Sequence, residues 1–455
     1  MNDSLLANRP PWAEGSGLRA ALAPAESDSE ADLAIVGAGI AGVATAYFAL
    51  ERSPKRRVTL LEADRVASGA TGHNAGQLVT YFERPLQALV ESFGFERALA
   101  AQREVDGAWD LLDQMCAASG LDTAVQSFEG HMGMWSANHL AVHLSSNRLR
   151  QKAGLSTERC VVSDRMPLGD LEREFGDLFT VVPHAQIRAL LQTRDDRYRA
   201  VLSFRKGTTN PVALCERVLD ELLKRHGDRL ELIEGARVER IVLESRGATL
   251  SAAGRRVRAE RVVLCTNGYR GFEIENRAGV GIDLAEQQEL HGTVGFMAAY
   301  FEPRPFDSAA ISYLASPRIG EGQAYFYVTR RPFIADGRLG TLVAVGGPDR
   351  ELAEWVDYER DAPVESGAVR QIDVFLRRLL GTDPGTPIDF RFAWHGLMGY
   401  TRDGARLIGA EPRNPVLLYN LGCNGVGLLP SIAGGARIAR ILAGEDLPPS
   451  AFDPR

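Results

Sequence analysis

From Ala31 to Glu62 the apolar positions change period twice. Leu33 to Val36 is a short continuous apolar run, Ile40 to about Glu51 is apolar on every helical face, and Val58 to Leu61 is a second short run. Short runs of this kind fit buried parallel strands, and the long stretch between them fits a crossover helix. The turn joining the first run to the helix holds Gly37, Gly39 and Gly42 at GxGxxG spacing. Glu62 closes the second run about 20 residues after the last glycine, where an acid can take a ribose hydroxyl. The spacing predicts a dinucleotide site: Gly37 permits the turn, Gly39 lets backbone approach a pyrophosphate, and Gly42 lets the helix lie close on the sheet. Ile40 and Ala41 then offer the N–H groups of the helix start, and Ala63 follows the acid.

Two later stretches repeat this type of patterning. Asn210 and Pro211 open an amphipathic helix that closes at Gly227, and the alternating segments ELIEG, ARVERIVL, ATLSA and RRVRAERVVL read as short strands. In that meander Val238 is placed to present backbone to an adenine, and the buried strand Val262 to Cys265 runs into Thr266, Asn267 and Gly268. Near the end, a strand from Val416 to Leu421 meets a turn with Gly422, Asn424, Gly425, Val426 and Gly427, and a helix from Leu428 to about Leu442 follows. A helix start of this kind suits the pyrimidine end of a flavin ring, whose reduced form carries negative charge.

Composition narrows the setting. The 455 residues leave room for two or three domains, and a net charge of −7 with scattered arginines gives no footprint for nucleic acid. Five widely spaced cysteines form no CxxC pair, so neither a disulfide framework, a zinc site nor any other metal is expected, and reduced thiols in a cytoplasm fit best. No apolar run reaches the roughly 18 residues of a membrane span. Residues 1–30 are rich in Pro, Ala, Ser and acids and read as a flexible N-terminal tail.

Taken together, DLAIVGAGIAGVATAYFALE with Glu62, ASGATGHNAGQ at 67–77, VVLCTNGY at 262–269, GYTRDGARLIG at 399–409 and NLGCNGVGLLPSIAGG at 420–435 resemble the FAD-dependent amine and amino-acid oxidoreductases of the D-amino-acid oxidase superfamily. The second piece is the most specific: Ser68, Gly69, Thr71, Gly72, His73, Asn74, Ala75, Gly76 and Gln77 match a loop that wraps the flavin in this family. The resemblance implies an α/β fold in which a Rossmann-like FAD-binding domain (31–95, 205–285 and 390–455) is interleaved with a mixed-sheet α+β substrate domain (96–204 and 286–389). A separate NAD(P)H-binding domain is not evident, so electrons are expected from the substrate itself.

The activity implied is oxidation of a C–N bond in an amine or amino acid, with hydride transfer to flavin N5 and hydrolysis of the imine. Tyr325, Tyr327 and Trp394 are candidates for an aromatic lining that keeps the amine neutral, and Gly396 lies beside them. Relatives hold a substrate carboxylate with arginines at two places; here Met398 and Asn424 stand there, and Arg331 or Arg330 is the candidate to supply the charge from another direction. In some members a histidine at the place of His73 carries the flavin covalently; a polar contact to the flavin edge or the loop backbone is the alternative. No lysine follows Lys224, so His291 and His395 are the candidates for positive charge near the flavin if O2 is the acceptor. The alternatives are a dehydrogenase serving a quinone or carrier protein, and a flavin-containing binding or assembly protein.

Overall fold

The computed structural model describes residues 7–13, 27–82, 84–121, 124–284, 290–316, 325–353, 358–383, 385–386 and 388–455. Two mixed sheets are built from alternating segments of the chain. In the first, parallel strands Ser29–Val36, Val58–Leu61 and Leu230–Ile233 lie side by side, and Arg255–Leu264 continues the sheet beyond Ser29–Val36. Arg255–Leu264 is long because its two halves serve different partners. Its first half pairs antiparallel with Ala248–Ala252, and its second half pairs parallel with Leu417–Leu421.

Alternation along Ser29–Val36 separates two cores. Leu33 and Ile35 face the helices, while Ala34 and Val36 face the antiparallel meander. Helix Ile40–Arg52 is buried at every position from Ile40 to Leu50, as its unbroken apolar pattern requires, because the sheet lies on one side and helix Leu428–Leu442 on the other. That second helix approaches through Gly435, where a Cβ would lie 2.7 Å from the Ala44 carbonyl carbon. Helix Pro211–His226 starts where expected, with the Asn210 side chain accepting from the N–H groups of Val212 and Ala213.

The second sheet runs in the order Phe392–Tyr400, His291–Glu302, Arg338–Glu351, Tyr325–Ala335, Ala309–Leu314, Val125–Met134, Ala200–Thr209, Arg159–Ser163 and Thr180–Val182. The short strand Gln77–Leu78 also joins it, pairing with Ala200–Thr209, so the loop before Gln77 bridges the two sheets. Helix Ser366–Leu380 covers the strands His291–Glu302 and Arg338–Glu351.

Three boundaries differ from expectation. Strand Phe392–Tyr400 is an edge of the second sheet, and Ala200–Thr209 lies wholly in that sheet. Helices Leu86–Phe93, Phe95–Asp106 and Ala108–Ala118 pack Leu89, Leu99, Leu112 and Met115 into the core of the first sheet. Periodicity marks an apolar helix face but not the layer that covers it. The expected tail also needs correction within its described part: Trp12 is 2% exposed and Pro11–Ala13 form a short 3-10 turn against helix Pro211–His226. Residues 1–6 and 14–26 of that stretch lie outside the described residues, and among the described residues no helix is long and apolar enough to cross a membrane.

Candidate active site

Strands Ser29–Val36, Val58–Leu61, Arg255–Leu264 and Leu417–Leu421 all end on one side of the first sheet, and a cavity of about 900 Å³ opens there toward the second sheet. Ligands of open α/β sheets bind outside the carboxyl ends of the strands. The wall includes Gly37, Gly39, Ile40 and Ala41 of the first turn, Glu62 and Ala63 after the second strand, and Val238 of the meander. Gly42 stands behind this wall, where a Cβ would lie 1.8 Å from the Gly37 carbonyl oxygen, so any side chain there would break the turn.

Hydrogen bonds set the acid and the helix start. Glu62 accepts from the N–H groups of Ala38 (2.8 Å) and Asp64 (3.0 Å), while burial raises its pKa. The Ile40 N–H, expected to be free for a phosphate, donates instead to Thr71 Oγ1 at 3.0 Å. Thr71 therefore ties the flavin-type loop to the dinucleotide turn, a link that sequence spacing does not reveal.

The loop at 67–77 supplies Ser68, Gly69, Thr71, His73, Asn74 and Ala75 to the wall, with Gln77 at its exit. Asn74 staples it: Nδ2 donates to the carbonyls of Ala70 and Thr71, and Oδ1 accepts from Gly76 N–H. Gly72 and Gly76 shape the loop from behind the wall. His73 Nδ1 lies 2.9 Å from the Gly69 carbonyl, which can only accept, so Nδ1 carries the proton and Nε2 the lone pair. Burial pushes the His73 pKa down, which keeps the ring neutral.

The remaining loops meet at Asn267. Its Oδ1 accepts from Cys423 N–H at 3.0 Å and its Nδ2 donates to the Leu397 carbonyl at 3.4 Å, joining three segments that the sequence holds far apart. Thr266, Asn267, Gly396, Gly425, Val426 and Gly427 reach the wall, as does Leu428, while Gly268 and Gly422 do not. Asn424 is also behind the wall: Oδ1 accepts from Thr401 N–H and Nδ2 donates to the Gly422 carbonyl, so it holds the turn rather than a ligand.

The expected chemical residues divide sharply. Tyr325 and Tyr327 are on the wall, with ring centroids 5.9 Å apart. Trp394 is fully buried in a core with Ala75, Met297 and Phe392, packed behind the wall and not part of it. Arg331 is buried too. Its guanidinium donates to the Ala75 and Thr209 carbonyls and lies over the Trp12 ring, so it braces the loop from outside the cavity.

Neither histidine supplies a cation to the cavity. His395 donates through Nε2 to the Ala362 carbonyl at 2.9 Å, and burial lowers its pKa. His291 starts its strand half-exposed, stacked on Tyr400 and 3.9 Å from Glu351, off the wall. Both are corrections to the sequence reading, which had no means of telling which face of a strand looks into the crevice.

Several wall residues were not anticipated. Arg360 bonds Asp64 at 2.6 Å across the acid end. Tyr269 joins the Thr266–Asn267 turn, and Phe296, Met297 and Asp349 come from the second sheet. Arg406, inside the GYTRDGARLIG motif, is a buried guanidinium on the wall. Its signal in the sequence is a basic residue inside the resemblance motif, directly before a short apolar run.

Two mixed sheets, with a glycine turn and Glu62 at the strand ends and a loop bridging both sheets over one crevice, fit the interleaved α/β class of nucleotide-cofactor proteins. The chain belongs to the DAO family, FAD dependent oxidoreductases, whose model matches residues 32–441. It is 27% identical over 145 residues, 32% of this chain, to a putative Rieske 2Fe-2S iron-sulfur protein of Bacillus subtilis (strain 168), a match spanning 28% of that protein's length. A second stretch is 36% identical over 67 residues, 15% of this chain, to gamma-glutamylputrescine oxidoreductase of Escherichia coli (strain K12), again 15% of that protein's length. The curated relatives are thus matched over less than a third of their own length. The fold is similar to that of glycine oxidase from Geobacillus kaustophilus, with a TM-score of 0.65, 16% identity, and coverage of 94% of this chain and 99% of that one.

The residues present fit FAD. The glycine turn leaves no space for a Cβ at Gly42, the Thr266 hydroxyl is buried on the wall without a partner, and Arg406 keeps two buried nitrogens unpaired beside the same cavity. The turn from Gly37 and Glu62 would hold the adenosine half, and the His73 loop with the Gly425–Leu428 turn would hold the flavin half.

Proposed function

We propose that this protein oxidises a C–N bond of a small amine, or of an amino compound whose acid group lies away from the oxidised carbon, with O2 as electron acceptor. The observation that carries this reading is the charge pattern of the second-sheet wall. Tyr325, Tyr327, Phe296, Met297 and Met398 make it aromatic and soft, Asp349 gives it a carboxylate, and no described residue from those strands adds a basic group. An α-carboxylate finds no cationic partner from those strands, whereas an amine finds a carboxylate.

Bound FAD supplies the two-electron acceptor, which side chains lack. The protein's part is to bind, orient and deprotonate. Aromatic and thioether surfaces exclude water, and desolvation favours the neutral amine that donates hydride. Asp349 retains exposed surface at the cavity and has a pKa raised by partial burial, so its carboxylate is suited to receive the ammonium proton. His73, neutral with Nε2 as the lone-pair nitrogen, is the residue that would carry a covalent flavin link. Colour kept in the acid-denatured pellet would indicate that link, and colour released wholly to the supernatant would leave His73 as a polar contact.

Electron transfer to a quinone or carrier protein is the second reading. It is favoured by the position of His291 and His395 off the wall, which removes the expected cations for oxygen activation. Both readings are tested by mixing the anaerobic protein with amines, N-methyl amino acids and D- and L-amino acids, and following flavin bleaching. Rapid return of colour in air with peroxide release supports the oxidase, and slow return supports the dehydrogenase. Bleaching by none of the panel would overturn both and leave a binding or assembly role. None of the five cysteines is in a disulfide, which supports a reducing, cytoplasmic setting.

A further inference from the structure

Arg406 directly precedes strand Leu407–Ala410, which pairs antiparallel with Leu417–Leu421 so that Leu407 faces Leu421. This register puts Arg406 at the carboxyl ends of the parallel strands, on the cavity wall. The residue is 4% exposed. Nη2 donates to Asn420 Oδ1 at 3.1 Å and to Ser431 Oγ at 2.9 Å, while Nε and Nη1 have no partner.

Its surroundings make this cation costly. Ser431 lies in the first turn of helix Leu428–Leu442, and Asn420 also bonds Thr45 of helix Ile40–Arg52. The guanidinium therefore stands beside the first turn of helix Leu428–Leu442, whose partial charge is positive. Its electrostatic neighbours are the thiols of Cys265 and Cys423 rather than a carboxylate, and burial pushes its pKa down to about 10. A buried charge with unpaired donors costs several kcal/mol unless an anion meets it. Oxidised FAD brings one anionic group into this crevice, its pyrophosphate.

We propose that Arg406 is an anion-binding residue that receives the pyrophosphate of FAD on Nε and Nη1. The Ile40 N–H is already taken by Thr71, so the first helix start offers one donor fewer than its glycine motif implies, and Arg406 makes good that loss. Asn420 and Ser431 hold the guanidinium in place and leave its other two nitrogens buried without a protein partner.

The ³¹P resonances of bound FAD in wild-type, R406K and R406Q holoenzyme test this, and they involve no substrate, so the outcome is separate from that of the C–N oxidation reading. R406Q is expected to shift at least one pyrophosphate resonance and to weaken FAD binding ten-fold or more, with R406K nearer to wild type. Unchanged resonances in R406Q at equal FAD content would overturn the assignment. If R406Q does not fold, calorimetry with ADP and adenosine on flavin-depleted wild type and R406M decides. Weaker ADP binding in R406M with adenosine unchanged supports the role, while equal effects on both ligands, or none, overturn it.

Discussion

The Arg331 guanidinium lies 4.6 Å from the centre of the Trp12 ring and at the same time donates to the carbonyls of Ala75 and Thr209. Trp12 in turn donates through Nε1 to the Asn74 carbonyl at 3.1 Å. One indole thus covers a buried cation and braces the loop that carries His73. Replacing Trp12 by Ala should cost roughly 3–5 kcal/mol, the usual range for a buried Trp, and loosen the flavin. Chemical denaturation of the holoenzyme, with flavin release followed by fluorescence, measures both. A W12A protein of unchanged stability and flavin retention would show the bracing to be inconsequential.

Gly396 touches the same loop from the other sheet. A Cβ there would lie 2.7 Å from His73 Cβ and 3.0 Å from the His73 carbonyl oxygen. Since Gly396 sits within strand Phe392–Tyr400, the loop rather than the strand must give way. G396A is expected to fold, to shift the flavin absorption bands and to bind FAD about ten-fold more weakly, about 1.4 kcal/mol. Titration of flavin-depleted protein reads the affinity, and wild-type values would exclude this contact as a determinant of loop position.

Most of the cofactor half of the crevice was legible in the sequence because local rules fix it. Strand, glycine turn, helix and acid must follow one another closely to bind a dinucleotide, and Gly37, Gly39 and Glu62 are on the wall as that order requires. The substrate half was less legible, for a physical reason. Trp394 and Met398 lie four residues apart on one strand, yet Met398 reaches the cavity and Trp394 fills a core. Alternation says that two such residues share a face but not what each meets along its length. Arg331 and Trp12 illustrate the same limit from farther away, since a contact across more than three hundred residues leaves no mark in local pattern.

Met398 occupies the place where the family resemblance puts a carboxylate-binding arginine. It lies on the wall with Gly295 beside it, and the described residues of the second-sheet strands put no cation on that wall. M398R should therefore improve small α-amino acids as substrates. A charge-assisted hydrogen bond is worth about 1.5–3 kcal/mol, or at least a ten-fold fall in KM for glycine-like substrates, with little gain for amines lacking an acid. Steady-state or anaerobic reduction kinetics on matched pairs of substrates supply the comparison. Equal changes for both members of a pair would place residue 398 outside substrate recognition.

His395 gives the protein an acid-sensitive joint. Its Nε2–H is held by the Ala362 carbonyl, its Nδ1 is buried without a partner, and its backbone N–H donates to Asn8 Oδ1 at 2.9 Å. Burial lowers its pKa below the ordinary value of 6.5. In the window between the lowered folded value and 6.5, the unfolded chain binds more protons than the folded one. Stability is therefore complete above about pH 6.5 and declines as pH falls through that window, levelling off below the folded value. His73, His139 and His184 are lowered by burial too, so they add to the same slope. H395N keeps a donor for Ala362 but cannot titrate. The fall in Tm from pH 7 to about pH 5 should be shallower in H395N than in wild type, with its cost concentrated at neutral pH. Parallel curves would mean that His395 does not take up a proton on unfolding in this range.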